Sequence, residues 1–271
     1  MVNETGLTIT EQLLIAVNAA IKAGHSIMNI YKKDFAVEFK KDASPLTEAD
    51  KAADKVIKYF LGNRYPVLSE EGKTISFEER KKWDIFWLID PLDGTKEFIK
   101  KNGEFTVNIA LIEENHPILG VVYVPASSVL YFGSEETGSF FRVIKENDKF
   151  ETIEELIKDS VKMEGGQLPG KYTVVASRSH TSPETEKFIA QCISEHEEIE
   201  IINSGSSIKF CLVAEGKAHV YPRIAPTMEW DTAAAHAVAK FSGCRVVDFY
   251  TGEELKYNKE NLLNPHFLVT H

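Results

Sequence analysis

The chain has 271 residues, 43% hydrophobic and 27% charged, a globular composition long enough for one large or two medium domains with a real core. Its net charge is −10 at pH 7 with no basic run, which excludes a nucleic-acid or anionic-membrane surface as the main partner while leaving room for a small polyanion if a cation lies in the site. The three cysteines, Cys192, Cys211 and Cys244, are far apart with no Cys-x-x-Cys, which argues against a disulfide frame or a zinc site; with no basic or apolar signal region in MVNETGLTITEQ and no apolar run approaching membrane-spanning length, a soluble cytoplasmic protein is expected.

In chain order, apolar residues from Leu13 to Tyr31 recur at spacings of three and four and predict a core helix over 8–33, with Thr10 as its cap. Ser44-Pro45 breaks the chain, and Thr47 caps a second helix whose buried stripe is Ala53, Val56, Ile57 and Phe60. Asp50 falls in the first turn of that helix, where the helix dipole favours a carboxylate whatever its function. Pro66-Val67-Leu68 reads as a short buried strand ending at Ser69-Glu70-Glu71-Gly72; these acidic residues are either a solvated loop or a site element.

The run IFWLI then delivers Asp90 to the end of a strand, and Pro91-Leu92-Asp93-Gly94-Thr95 turns the chain toward a helix beginning KEF. An ionised carboxylate without a partner in apolar surroundings is costly, so two of them separated by Pro-Leu call for a compensating cation. Asp90, Asp93 and the Leu92 carbonyl are the hard oxygen donors that Mg2+ prefers, and Gly94 lets a backbone N–H approach an anion. The competing reading is an ordinary connection with Asp93 as helix cap and Pro91 as turn residue. From Glu104 to Ile144 the period is near two, which predicts a four-stranded antiparallel meander. The charged, Gly-rich segment 145–170 marks a domain boundary, drawn as 1–155 and 156–271. Strands and helices then alternate, as in a layered domain with a mixed sheet. In this half Asp231 opens a helix, where capping is its default role, and Ser206 opens another with Lys209 one turn on. Arg178, His180 and Arg223 follow strand ends, where ligands of α/β sheets gather, although each alone is an ordinary surface residue.

Taken together, Asp90-Pro91-Leu92-Asp93-Gly94-Thr95 and Trp230-Asp231-Thr232-Ala233-Ala234 resemble the two-part signature of the inositol monophosphatase superfamily, the Mg2+-dependent, lithium-sensitive phosphatases. SPLTEAD, LSEEG, the TKEFIKKNGEFTVNIALI extension and the closing YNKENLLNPHFLV are similar to its 3'(2'),5'-bisphosphate nucleotidase branch. The resemblance implies a layered α/β/α/β/α fold, with an N-terminal antiparallel sheet and two helices followed by a C-terminal mixed α/β sheet. It implies one Mg2+ on Glu70, Asp90 and the Leu92 carbonyl, a second on Asp90, Asp93 and Asp231, and a weak third assisted by Glu70. Asp50 and Thr95 would orient or deprotonate the attacking water, and the Gly94 and Thr95 backbone would cradle the scissile phosphate. Ser206, Lys209 and Arg223 would take the remote part of a bisphosphate nucleotide, with Arg178 and His180 beside it.

The expected reaction is removal of the 3'-phosphate from 3'-phosphoadenosine 5'-phosphate, or from its sulfated counterpart, with inhibition by Li+. Hydrolysis of an inositol or other sugar monophosphate is the alternative enzyme reading, and a metal- and phosphonucleotide-binding sensor the non-enzyme one. Monomer and homodimer both stay open, as does loose association with the inner membrane.

Overall fold

The computed structural model describes residues 6–33, 37–39, 45–164, 168–178 and 182–271. Helix α1 (Ile9–Tyr31) begins at Thr8, whose side chain accepts from the Glu11 N–H while Glu11 accepts from the Thr8 N–H at 2.8 Å. The cap is therefore Thr8 rather than Thr10, because only Thr8 has a glutamate three residues on; Thr10 bonds Glu136 instead. An 18-residue window of the 23-residue α1 has a mean hydropathy of 1.3, so the helix is long and apolar enough by length and composition to cross a membrane. Its apolar side is instead the centre of a core: Leu13, Ala16, Val17, Ala20 and Ile27 are all fully buried.

Strands β1 (Val37–Phe39) and β2 (Pro45–Thr47) form an antiparallel pair that leads into α2 (Glu48–Leu61). Thr47 caps α2, and its own N–H donates to Asp50 at 2.7 Å. The stripe that α2 buries runs Ala49, Ala53, Ile57, Leu61, whereas Val56 and Phe60 are only partly buried. Next come β3 (Val67–Ser69), α3 (Phe77–Arg80), β4 (Ile85–Asp93), α4 (Thr95–Ile99), β5 (Thr106–Glu113), β6 (His116–Val124), β7 (Val129–Ser134), β8 (Gly138–Val143), α5 (Ile153–Lys158) and β9 (Val161–Met163). These strands form one sheet in the order β3-β4-β5-β6-β7-β8-β9, antiparallel throughout except for the parallel β3–β4 pair. The meander expected over 104–144 is thus extended by β4 on one side and β9 on the other. The division drawn at 155/156 falls inside α5, and the chain leaves this sheet only after Met163.

The second sheet contains β10 (Tyr172–Ser177), β11 (Ile199–Ser204), β12 (Val220–Arg223), β13 (Arg245–Asp248) and β14 (Phe267–Thr270), in the order β11-β10-β12-β14-β13. Parallel β10–β11 and β10–β12 pairs beside antiparallel β12–β14 and β13–β14 pairs make it mixed. Its helices are α6 (Pro183–Glu195), α7 (Ile208–Ala214) and α8 (Glu229–Phe241). Side chains alternate along β4, so Ile89 faces the α1–α2 core while Leu88 joins Ala110 and Val122 against Ala234 and Val238 of α8. The layers run α1/α2, first sheet, α7/α8, second sheet, α6. α8 lies so close to β6 that a Cβ at Gly120 would collide with the Ala234 carbonyl oxygen. Gly120→Ala is expected to lower stability by about 3 kcal/mol through overpacking, seen as a lower urea midpoint at unchanged slope.

Candidate active site

The site begins where the antiparallel register of β4 breaks. Asp90 lies opposite Asn108 of β5, but the pairing slips between Asp90 and Asp93, so Pro91 and Leu92 form a bulge. Pro91, which has no N–H to lose, is tolerated there, and the Leu92 N–H donates to Asp90 Oδ1 at 3.0 Å. Gly94, at φ +90°, begins α4; a Cβ there would come within 3.0 Å of the Glu104 carbonyl oxygen. Asp93 therefore ends the strand and does not cap the helix.

From the other sheet, the first turn of α8 supplies Asp231, whose Oδ2 accepts from the Met228 N–H at 2.9 Å. Asp90, Asp93 and Asp231 each offer an oxygen, and these oxygens all lie within 4.8 Å of one another. Burial is the largest cause that pushes all three carboxyls up, Asp93 to about 6 and the other two further, and the mutual repulsion of the cluster with Glu70 adds to it. Glu70 reaches Asp90 from the loop after β3 and hydrogen-bonds it. Behind this cluster, Thr95 Oγ1 donates to Asp50 Oδ1 at 3.3 Å or to the Leu92 carbonyl at 3.4 Å, while Thr47 holds Asp50 Oδ2. Burial also raises the Asp50 carboxyl.

Glu70, Asp90, Leu92, Asp93, Gly94, Thr95, Ser206, Lys209, Arg223 and Asp231 line a single cleft of about 530 Å³. The carboxylates form one side of its charge pattern; Lys209 and Arg223, from α7 and β12, form the other. Burial, then Arg223, brings Lys209 down to about 8, while Asp93 holds its proton on. Arg223 Nε and Ser206 Oγ are buried without a hydrogen-bond partner among the described residues, a state of buried polar groups that points to a ligand. Arg178 does not join them: its guanidinium makes a forked pair with Glu104 at 2.8 and 2.7 Å and also donates to the Asn203 carbonyl. His180 lies outside the described residues. Among lining residues that the sequence reading passed over, Tyr221 carried a signal. It stands two residues before Arg223, on the same side of β12, and Lys209 Nζ lies 5.5 Å from the centre of its ring. Glu97, Ser177, Thr227 and Thr232 also line the cleft, with no such signal.

A sequence model described as the inositol monophosphatase family matches residues 9–269. The 3'(2'),5'-bisphosphate nucleotidase CysQ of Salmonella typhimurium is 46% identical over 257 residues, covering 93% of this chain and 96% of that protein. The protein of the same name from Haemophilus influenzae is 35% identical, covering 97% and 94%. Among solved structures, CysQ from Bacteroides thetaiotaomicron, described as a bacterial member of the inositol monophosphatase family, superposes with a TM-score of 0.89 at 49% identity over 97% of each chain. The suhB protein of Bartonella henselae shares the fold at 22% identity and a TM-score of 0.73, over 96% and 94%.

The raised carboxyls fix a pH dependence. Between pH 4 and 6 the unfolded chain loses protons that the folded cluster retains, so the cluster's contribution to stability falls as pH rises through that window. A cation on the ionised cluster removes that penalty. Calorimetric scans are therefore expected to show a small rise in Tm with Mg2+ at pH 5 and a larger one at pH 7.5, equivalent to about 2.7 kcal/mol when Mg2+ is 100-fold above its Kd.

Proposed function

From the premise that this chain belongs to the inositol monophosphatase family, we propose that it is a 3'(2'),5'-bisphosphate nucleotidase, which hydrolyses the 3'-phosphate of 3'-phosphoadenosine 5'-phosphate to give AMP and phosphate. The observation that carries this reading is the division of one cleft into a wall of clustered carboxylates and a wall bearing Lys209 and Arg223, one for each phosphate of a bisphosphate. Removal of the 3'-phosphate from the sulfated nucleotide belongs to the same reading, because the reacting group is unchanged.

The carboxylates fit Mg2+: the donors are all hard oxygens, and burial together with mutual repulsion pushes the carboxyls up, a cost that a bound cation would offset. Glu70, Asp90 and the Leu92 carbonyl would hold one ion, and Asp90, Asp93 and Asp231 a second, with Glu70 assisting a third. An ion held there would supply a water that is nucleophilic near neutral pH and would neutralise charge on the leaving oxygen. Thr95 Oγ1 would accept a proton from the attacking water while passing its own to Asp50 Oδ1, whose carboxyl is raised by burial. The Gly94 backbone, free of a Cβ, approaches the scissile phosphate. Ser206 Oγ, Lys209 Nζ and the Arg223 guanidinium take the remote phosphate and ribose side. Arg178 reaches a nucleotide only by giving up Glu104. Li+, competing at the same oxygens, inhibits. The three buried free cysteines fit a cytoplasmic location.

A sugar monophosphate phosphatase would use the same carboxylates but has no remote anion for two cations in the cleft. Phosphate release at low millimolar Mg2+ separates the readings: 3'-phosphoadenosine 5'-phosphate is expected to be strongly preferred over inositol 1-phosphate and fructose 1,6-bisphosphate, and to lose turnover with Li+. Inositol phosphate as the best substrate would overturn the role given to Lys209 and Arg223. Replacing these two by Ala is expected to raise KM for the bisphosphate by about 10- to 100-fold, the loss of one or more charge-assisted hydrogen bonds, while sparing a small monophosphate. Asp90→Asn is expected to abolish turnover and to leave the metal-free Tm equal or higher, because Asn keeps the acceptor for the Leu92 N–H and removes a repelling charge.

A further inference from the structure

The closing segment 255–264, LKYNKENLLN, takes no part in the hydrolytic scheme, yet it wraps the first turns of α8. The Asn258 and Lys259 N–H groups donate to the fully buried Glu229 carboxylate at 2.6 and 3.0 Å, and Asn258 Oδ1 accepts from the buried Arg80 guanidinium at 2.7 Å. Tyr257 reaches His236 further along the helix, at 2.9 Å. The Glu229 N–H donates to the Leu262 carbonyl, and Met228 bridges Leu263 in antiparallel fashion.

At the end of the segment, Asn264 addresses the residues on either side of Asp231. It is only 4% exposed, and its Nδ2 lies 2.8 Å from the Met228 carbonyl, 3.0 Å from Thr232 Oγ1 and 3.2 Å from Thr227 Oγ1, while its backbone N–H donates to the Thr227 carbonyl at 2.8 Å. The Met228 carbonyl can only accept, so the nitrogen and not the oxygen of the amide must face it. This orientation leaves Asn264 Oδ1 buried without a partner among the described residues, a cost offset by the two N–H groups of the nitrogen, which three acceptors share.

Met228 is the N-cap of α8 but has no capping oxygen, and the carboxylate of Asp231 caps it instead, through the Met228 N–H. Asp231 thus serves both the helix cap and the carboxylate cluster, and the direction in which it points follows the backbone on either side of Met228. Asn264 holds that backbone at two points: its own N–H donates to the Thr227 carbonyl, which shares a peptide with the Met228 N–H, and its side chain donates to the Met228 carbonyl in the next peptide.

We propose that Asn264 is a positioning residue for Asp231, its side chain fixing the Met228 carbonyl and Thr232 on either side of Asp231 so that the Asp231 carboxylate is presented to the metal alongside Asp90 and Asp93. This role rests on the reading of the cluster as a Mg2+ site.

The experiment compares wild type, Asn264→Ala and, as a control on the same segment, Asn258→Gly, which drops the Arg80 contact at a position whose φ of +64° a glycine accepts. Mg2+ binding is measured by titration calorimetry, the fold by the metal-free Tm, and turnover as kcat and KM. Asn264→Ala is expected to weaken Mg2+ binding by about 10-fold or more, the range for groups that orient a ligand, with kcat recovering at saturating Mg2+ and KM for the nucleotide unchanged. Asn258→Gly is expected to lower Tm while leaving Mg2+ affinity within about twofold. If Asn264→Ala binds Mg2+ like wild type, or Asn258→Gly weakens it as much, Asn264 only stabilises the segment and the positioning role is overturned. Should Asn264→Ala not fold, Asn264→Ser, the smaller change, is read by the same criteria. Wild type that takes up no Mg2+ overturns the metal site itself, and the role of Asn264 with it.

Discussion

Three carboxylates that repel one another are held within a few ångströms by structure that gains nothing locally from doing so. Asp90 and Asp93 come from the end of a strand in one sheet and Asp231 from a helix that also packs on the other, so the cluster exists only where the layers meet. Each carboxylate is fixed through its neighbours: Asp90 by the Leu92 N–H, Asp231 by the Met228 N–H, Asp93 by its place at the end of β4. The stability that keeps them there comes from elsewhere, chiefly the apolar faces of α1, α2 and α8 on either side of the first sheet. The site is the place where the fold spends stability, and a cation returns it.

This arrangement accounts for features that otherwise look unrelated. The bulge at Pro91-Leu92 turns what would be alternating directions into two acids and a carbonyl that share one cleft. Gly120 allows α8 to approach the sheet closely enough for Asp231 to meet the strand-end acids. Asp50 and Thr95 stand behind the cluster because the capping box of α2 secures one oxygen of Asp50 and leaves the other for Thr95. On the opposite wall, Lys209 stays charged in a buried position because Asp93 faces it, so the two walls stabilise each other's ionisation across the space a substrate would fill.

Much of this could be read from the residues alone, and the exceptions have physical causes. The apolar run into Asp90 and the turn chemistry of Pro91 and Gly94 are local, and local signals survive translation into structure. The capping box at Thr8 and Glu11 was equally local; it lay two residues before the threonine that seemed to start the periodic run. Arg178 shows the limit. Its partner, Glu104, is distant in sequence, and charge alone does not say whether an arginine at a strand end waits for a ligand or already has a carboxylate. The burial of Ala49 and Leu61 in place of Val56 and Phe60 followed from how α2 is rotated against α1, which hydrophobicity along one helix does not fix. Tyr221 could have been found by carrying the strand period back from Arg223.

α8, which brings Asp231 to the cluster, is made late in synthesis, and this has a consequence for how the molecule is assembled. As the chain leaves the ribosome, the first sheet can pair its strands and cover one face with α1 and α2, but its other face, with Leu88, Ala110 and Val122, stays uncovered until residues 229–241 arrive. A nascent chain at that stage presents a broad greasy surface to chaperones and to other nascent chains. The same delay means that the carboxylate cluster is completed only when Asp231 arrives, well after Asp90 and Asp93.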